Sequence, residues 1–272
     1  MKQLVAGSSA ERYPPEQAKF KSSLVLVHGV WSGAWCWQSW ATHFCNLGWD
    51  CVAMDLRRRS IPNPTVSLSR LSFDDCVRGL AEVIRSFSNP PILLAMNLGA
   101  LMALKALEET KVSALILVSP SPPANIVDAQ SRQQRLLWLK YRWLTFLQRP
   151  FRIAEKDFRT HFLTPLPENL QSALYQRTVP EPSAVAREFL AARVHVASGP
   201  LSCPVLVLGG SEDNLTPTAT SNRLAQWLGG EFREYRGQGH WLIEQDGESI
   251  VRDIHRWIIR NLGEKILLAE FS

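Results

Sequence analysis

The chain has 272 residues, 46% of them hydrophobic and 20% charged, with a formal net charge of +5. This balance suits one ordinary globular α/β domain with a full core, and it leaves room for an inserted segment. No uncharged apolar run reaches the roughly 18 residues that a membrane-spanning helix needs, and no nucleic-acid-binding signature accompanies the positive charge, which reads as solvated surface charge.

Residues 1–22 are polar and aperiodic, with no apolar core of signal-peptide length. They predict an extended arm with at most one edge strand, and a cytoplasmic location. Leu24 to Val27 is a short continuous apolar run, the mark of a strand buried on both faces. It leads into the loop His28-Gly29-Val30-Trp31-Ser32-Gly33-Ala34-Trp35-Cys36-Trp37 and then a helix to about Leu47. Cys51 to Met54 reads as the next strand, with a loop from Asp55 that holds Pro62 and Pro64. Phe73, Val77, Leu80 and Ile84 recur at helical spacing, with Asp74 and Asp75 in the first turn, where the helix dipole favours acids.

Pro91-Ile92-Leu93-Leu94-Ala95-Met96-Asn97-Leu98-Gly99-Ala100 then breaks a buried strand at a tight turn and opens at once into a helix, roughly Leu98 to Glu109. That is the layout of a nucleophile elbow, G-x-S-x-G, with small residues (Ala95, Gly99) where strand and helix pass closely. The apex is Asn97, whose amide has no proton that can be removed to make a useful nucleophile. A strand over Val112 to Val118 stops at Ser119-Pro120-Ser121-Pro122-Pro123. Residues 124–198 read as helices, rich in Arg, Lys and aromatic residues that include Trp138, and predict a helical cap. Pro204 to Leu208, Pro217 to Leu228, Phe232 to Tyr235 and Gly247 to Asn261 complete a strand–helix alternation. The expected architecture is α/β: a doubly wound, mostly parallel sheet, with residues 1–22 as an arm, 23–123 and 199–272 as the core, and 124–198 as the cap. Cys36, Cys45, Cys51, Cys76 and Cys203 form no C-x-x-C pair and read as reduced thiols; no metal or cofactor is expected.

Sites in open α/β sheets gather at the carboxyl ends of the strands. Three loops there carry Asn97, then Gly209-Gly210-Ser211-Glu212-Asp213-Asn214-Leu215-Thr216-Pro217, then Gly237-Gln238-Gly239-His240-Trp241. Asp213 fits two tasks, capping the following helix and orienting a histidine; Glu212 is the other acid in that loop. His240 reads as a base presented by a glycine loop, or as a histidine kept for packing. His28 reads as a brace for its loop.

The chain order of nucleophile position, acid and histidine resembles that of the α/β-hydrolase superfamily, over roughly Leu24 to Asn261. The His28-Gly29 loop with Gly33-Ala34-Trp35-Cys36-Trp37 is most similar to the esterase and hydroxynitrile-lyase branch. The resemblance implies Asp213 as the acid, His240 as the base, and the backbone N–H groups of Val30 and Leu98 as an oxyanion hole. Asn97 departs from the pattern, because the family places a nucleophile there. The elbow apex has φ above zero, which Asn tolerates better than most residues.

The leading expectation is an enzyme of lyase, cyclase or non-covalent hydrolase type, in which His240 and Asp213 supply a general base without a serine nucleophile. The expected substrate is a hydrophobic small molecule in contact with Trp31, Trp138 and Trp241. The alternatives are an inactive homologue that binds ligands, and a serine esterase whose nucleophile has been mutated.

Overall fold

The computed structural model describes residues 2–59, 68–126, 130–197, 199–244 and 247–268. The loop positions Pro62 and Pro64 lie outside them. The strands are β1 (Lys2–Val5), β2 (Ser8–Tyr13), β3 (Leu24–Val27), β4 (Cys51–Arg59), β5 (Ile92–Met96), β6 (Ala114–Val118), β7 (Val205–Gly210) and β8 (Glu231–Tyr235). They form one sheet in the order β1-β2-β4-β3-β5-β6-β7-β8. From β4 to β8 every neighbouring pair is parallel, and β2 joins β4 antiparallel.

The central strands are apolar because helices cover both faces of a parallel sheet. All four residues of β3 and all five of β5 and β6 are buried. The principal helices are α1 (Gln38–Asn46), α2 (Phe73–Arg85), α3 (Leu98–Ala106), α4 (Arg132–Phe146), α5 (Glu155–Phe158), α6 (Glu168–Gln176), α7 (Ser183–Ala191), α8 (Thr218–Leu228) and α9 (Gly247–Leu262). A π turn, Arg159–Leu163, continues α5. The expected acidic start of α2 is a full capping box: Ser72 Oγ accepts from the Asp75 backbone N–H, and the Asp75 carboxylate accepts from the Ser72 N–H. Such caps contribute about 1 kcal/mol.

Two expectations need correction. The first 22 residues hold two strands rather than one, because Ala6 and Gly7, at φ 46 and 77, make a tight hairpin turn that returns the chain onto the sheet. β4 also runs on to Arg59 instead of ending at Met54, since β2 pairs along it as far as Ser8–Arg59 after a register shift between Ser8 and Ser9. Between β6 and β7 the described elements are helices and one isolated bridge, Phe151–Glu181. All five cysteines are free.

The fold positions the site through its connectivity. From β3 the chain crosses to β4 on one side and β5 lies on the other, so strand order reverses at the β3/β5 crevice, where ligands collect in such sheets. The β3–α1 loop and the β5–α3 turn therefore meet there. Gly99 makes the approach possible: a Cβ at that position would collide with the His28 carbonyl oxygen.

Candidate active site

Asn97 joins β5 to α3 at φ 50 and ψ −121, the strained elbow conformation expected of the apex. Its backbone is held on three sides. Its N–H donates to Val118 O (3.1 Å), and its carbonyl accepts from Ser121 N (3.0 Å) and Ala100 N (3.1 Å). The side chain has no comparable freedom either, the residue being only 2% exposed.

Three expected residues converge on it. His240 Nδ1 lies 2.8 Å from Asp213 Oδ2, and His240 Nε2 lies 3.0 Å from Asn97 Nδ2. The Val30 N–H donates to Asn97 Oδ1 at 3.2 Å. Asp213 faces the histidine, but it does not cap the following helix, whose N-cap is Pro217 with no side-chain cap bond; it braces its own loop instead. Its Oδ1 accepts from the Leu215 and Thr216 N–H groups, each at 2.9 Å, and its Oδ2 faces the histidine.

Hydrogen-bond polarity along this chain of groups is fixed from both ends. A carboxylate at Asp213 accepts only, and the backbone N–H of Val30 donates only. His240 therefore carries its proton on Nδ1 and presents a lone pair at Nε2. The Asn97 amide then has one consistent setting, with Nδ2 donating to His240 and Oδ1 accepting from Val30. Neutral imidazole, one amide and one carboxylate satisfy one another with no contradictory contact. The site thus holds an imidazole nitrogen whose lone pair is covered by an amide, beside a backbone donor covered by the same amide.

The second expected hole donor, Leu98, is the first residue of α3, where helical N–H groups lack intrahelical acceptors and the dipole favours negative charge. Water is kept out: His240 is 1% exposed, and the Phe162 ring meets its face edge-on with centroids 5.4 Å apart. His28 Nδ1 contacts the Gly29 carbonyl at 2.8 Å and Nε2 lies 3.6 Å from Asp55 Oδ1, as a loop brace requires.

The tryptophans expected to touch a ligand are packing groups in this structure. Trp31 is fully buried among Phe151, Phe162 and Phe189. Trp241 is buried between Trp35 and Phe158. Trp138 is half-buried on α4. Neither Trp31 nor Trp241 offers open surface to a ligand, because the helical segment has closed over both.

One contributor went unseen in the sequence. Glu181, itself buried, accepts the Trp31 N–H through Oε2 at 2.7 Å. Val179 N donates to Trp31 O (3.0 Å) and Trp31 Nε1 to Phe151 O (3.2 Å), so the loop carrying Val30 is tied to the helical segment at three points. The flanking prolines of Pro180-Glu181-Pro182 were the available signal for a fixed acid there. A cleft of about 530 Å³, lined by Glu155, Lys156, Arg159, Thr160, Thr164 and Gln171, includes none of the converging residues.

A model of the alpha/beta hydrolase family matches residues 24–253, which covers every element of this site. The chain belongs to the alpha/beta hydrolase family. A curated relative, methylesterase 4 of Arabidopsis thaliana, is 30% identical over 108 residues, 38% of this chain and 41% of that protein. The match therefore spans less than half the length of this α/β hydrolase and of its relative alike. Solved structures share the fold at low identity. An esterase from Exiguobacterium antarcticum superposes with a TM-score of 0.72 at 17% identity, covering 95% of this chain and 99% of that one. An esterase from Rhodococcus sp. ECU1013 gives 0.69 at 17%, covering 96% and 98%. A monoacylglycerol lipase from Paleococcus ferrophilus gives 0.67 at 18%, covering 93% and 98%.

Proposed function

We propose that this chain is an enzyme that acts on a hydrophobic small molecule by general-base catalysis at His240, without a covalent intermediate. The observation that carries this reading is the buried Asp213–His240 pair at 2.8 Å, with Nε2 aimed at the elbow apex. A carboxylate on Nδ1–H fixes the tautomer that accepts a proton at Nε2 and stabilises the imidazolium that results. Asn97 at the apex has no ionisable proton, so the base takes its proton from substrate or from water.

Turnover on this reading starts when substrate displaces the Asn97 amide from Nε2 and from the Val30 N–H. Nε2 then takes a proton from a C–H, an O–H or an attacking water. The anion formed, enolate or alkoxide, is held by the Val30 and Leu98 N–H groups at the start of α3. One such donor is worth about 3–4 kcal/mol in related chemistry. The displaced amide keeps one donor and one acceptor with which to orient the substrate. Elimination, cyclisation, C–C cleavage and water attack on an activated carbonyl all fit this set of groups. The esterase names among its relatives make carbonyl compounds the first class to try. We assign residues 124–198 the role of a cap that opens to admit substrate and excludes water when shut.

A second reading rests on the same amide. Because Asn97 satisfies base and hole together, the closed site is complete without a ligand, as suits a catalytically silent binding protein. A turnover screen on activated esters, thioesters, cyanohydrins and β-hydroxy ketones, run with wild type and His240→Ala, separates the two. Product formation that His240→Ala abolishes supports the enzyme. Binding without product, changed only modestly in His240→Ala, supports the silent protein.

A further inference from the structure

Helix α4 has two apolar faces. Leu137 and Tyr141 point inward and are buried, along with Gln134 and Thr145. On the opposite side Leu136 (53%), Leu139 (60%), Trp143 (59%), Phe146 (69%) and Leu147 (53%) are exposed. At about 100° per residue these five fall within an arc of roughly 100°, a continuous stripe along the helix. Of the large hydrophobic side chains most exposed among the described residues, only Leu4 lies elsewhere. Burying this stripe against the body of the protein is impossible while Leu137 and Tyr141 face inward.

The charges that border the stripe are of one sign. Residues 130–150 contain Arg132, Arg135, Lys140, Arg142 and Arg149 and no Asp or Glu. All five basic side chains are exposed, and among the described residues Lys140 is paired, with Asp157 at 2.6 Å. On the helical projection Arg135 and Arg142 flank one edge of the stripe and Lys140 the other. This arrangement discriminates between occupants. A two-fold contact between copies of this face would set the basic border of one helix against the basic border of the other, with no acid on either helix to answer it. An acidic, planar, apolar-cored surface answers both the stripe and its border.

We propose that the outward face of α4 is a docking surface for an anionic lipid bilayer. Leu139, Trp143 and Phe146 enter the boundary between headgroups and acyl chains, with Leu136 and Leu147 at their sides. Arg132, Arg135 and Arg142 meet lipid phosphates. The helix lies in the plane of the interface, as basic amphipathic helices do. Among the described residues no helix is long and apolar enough to cross a membrane.

The test is flotation of the full chain with vesicles of phosphatidylcholine alone, and with about 30 mol% phosphatidylserine added. The expected result is retention on the anionic vesicles only, weakening as salt is raised. The triple variant Arg132→Gln/Arg135→Gln/Arg142→Gln should lower the partition coefficient about a hundredfold, and Trp143→Ser/Phe146→Ser should also release the protein. All five positions are solvent-facing, so near-UV circular dichroism and Tm should stay at wild-type values; they serve as the folding control. Failure of folded wild type to float with anionic vesicles at low salt overturns the proposal. Equal binding to neutral vesicles overturns it too, as does a dimer in sedimentation equilibrium that Trp143→Ser/Phe146→Ser dissolves.

Discussion

Reversing the hydrogen-bond polarity of the site should first harm the protein and then, with a second change, repair it. Asp213→Asn is nearly isosteric. The new amide oxygen can keep the two 2.9 Å bonds from the Leu215 and Thr216 N–H groups. Its NH2, however, then faces His240 Nδ1–H, donor against donor. If His240 moves its proton to Nε2, the clash passes to Asn97 Nδ2; if Asn97 flips, it passes to the Val30 N–H. One contradictory contact must remain in a site whose side chains are 0–2% exposed, and one buried unmet donor costs about 1–3 kcal/mol. Asn97→Asp supplies the missing acceptor at the far end. In the double variant the new carboxylate at the apex accepts from both the Val30 N–H and His240 Nε2–H, while His240 Nδ1 accepts from the amide that replaces the Asp213 carboxylate. Every group is satisfied again, with the opposite tautomer. Urea unfolding of wild type, both single variants and the double variant should therefore give a coupling energy of at least about 1 kcal/mol in favour of the pair. ¹⁵N-histidine spectra should show His240 changing from Nδ1–H to Nε2–H. Additive losses, or an unchanged tautomer in the double variant, would refute the polarity argument.

Asn97→Ser should create measurable hydrolysis of small activated esters and labelling by a fluorophosphonate probe, neither of which wild type should show, because a serine hydroxyl at the apex can be activated by His240. Gly239→Ala should destabilise by about 1–3 kcal/mol in chemical unfolding, since its Cβ would overlap the Thr164 carbonyl oxygen and the loop bearing His240 must shift. His255 titrates below the ordinary histidine value, first through burial and then through the charges of Lys19 and Arg256; His161 does so through burial, with Lys140 adding to it and Asp157 opposing. The unfolded chain then binds the extra protons, so stability should fall as pH drops through about 6.5 and level off below the folded values. His255→Gln, which keeps an acceptor for the Trp49 Nε1–H now bonded at 3.1 Å, should flatten that decline between about pH 7 and 5.

The parts of the fold that were legible in the sequence are those buried on both faces. Leu24–Val27, Ile92–Met96, Ala114–Val118 and Val205–Gly210 announce themselves as apolar runs because helices cover both sides of them. Lys2–Val5 and Ser8–Tyr13 do not, because an edge hairpin keeps one side wet and its sequence stays polar. Asn97, Asp213 and His240 were readable from strand-end position and chain order. Their mutual geometry was not: the contact between Asn97 Oδ1 and Val30 joins residues 67 apart, and only the β3/β5 neighbourhood brings it about. The surroundings of the tryptophans were not legible for a related reason. An aromatic residue beside a site looks the same in sequence whether it lines a pocket or fills one, and Trp31 and Trp241 fill theirs.

The central claim is that His240 is a working base with no covalent partner. Its most direct test is kcat for wild type and His240→Ala on whichever substrate of the screen turns over, with intact-protein mass spectra taken during turnover. The account predicts a loss of about 10²–10⁴-fold in His240→Ala and an unmodified wild-type mass throughout. Equal kcat in the two proteins, or a covalent adduct on wild type that forms and decays at the rate of turnover, would contradict it.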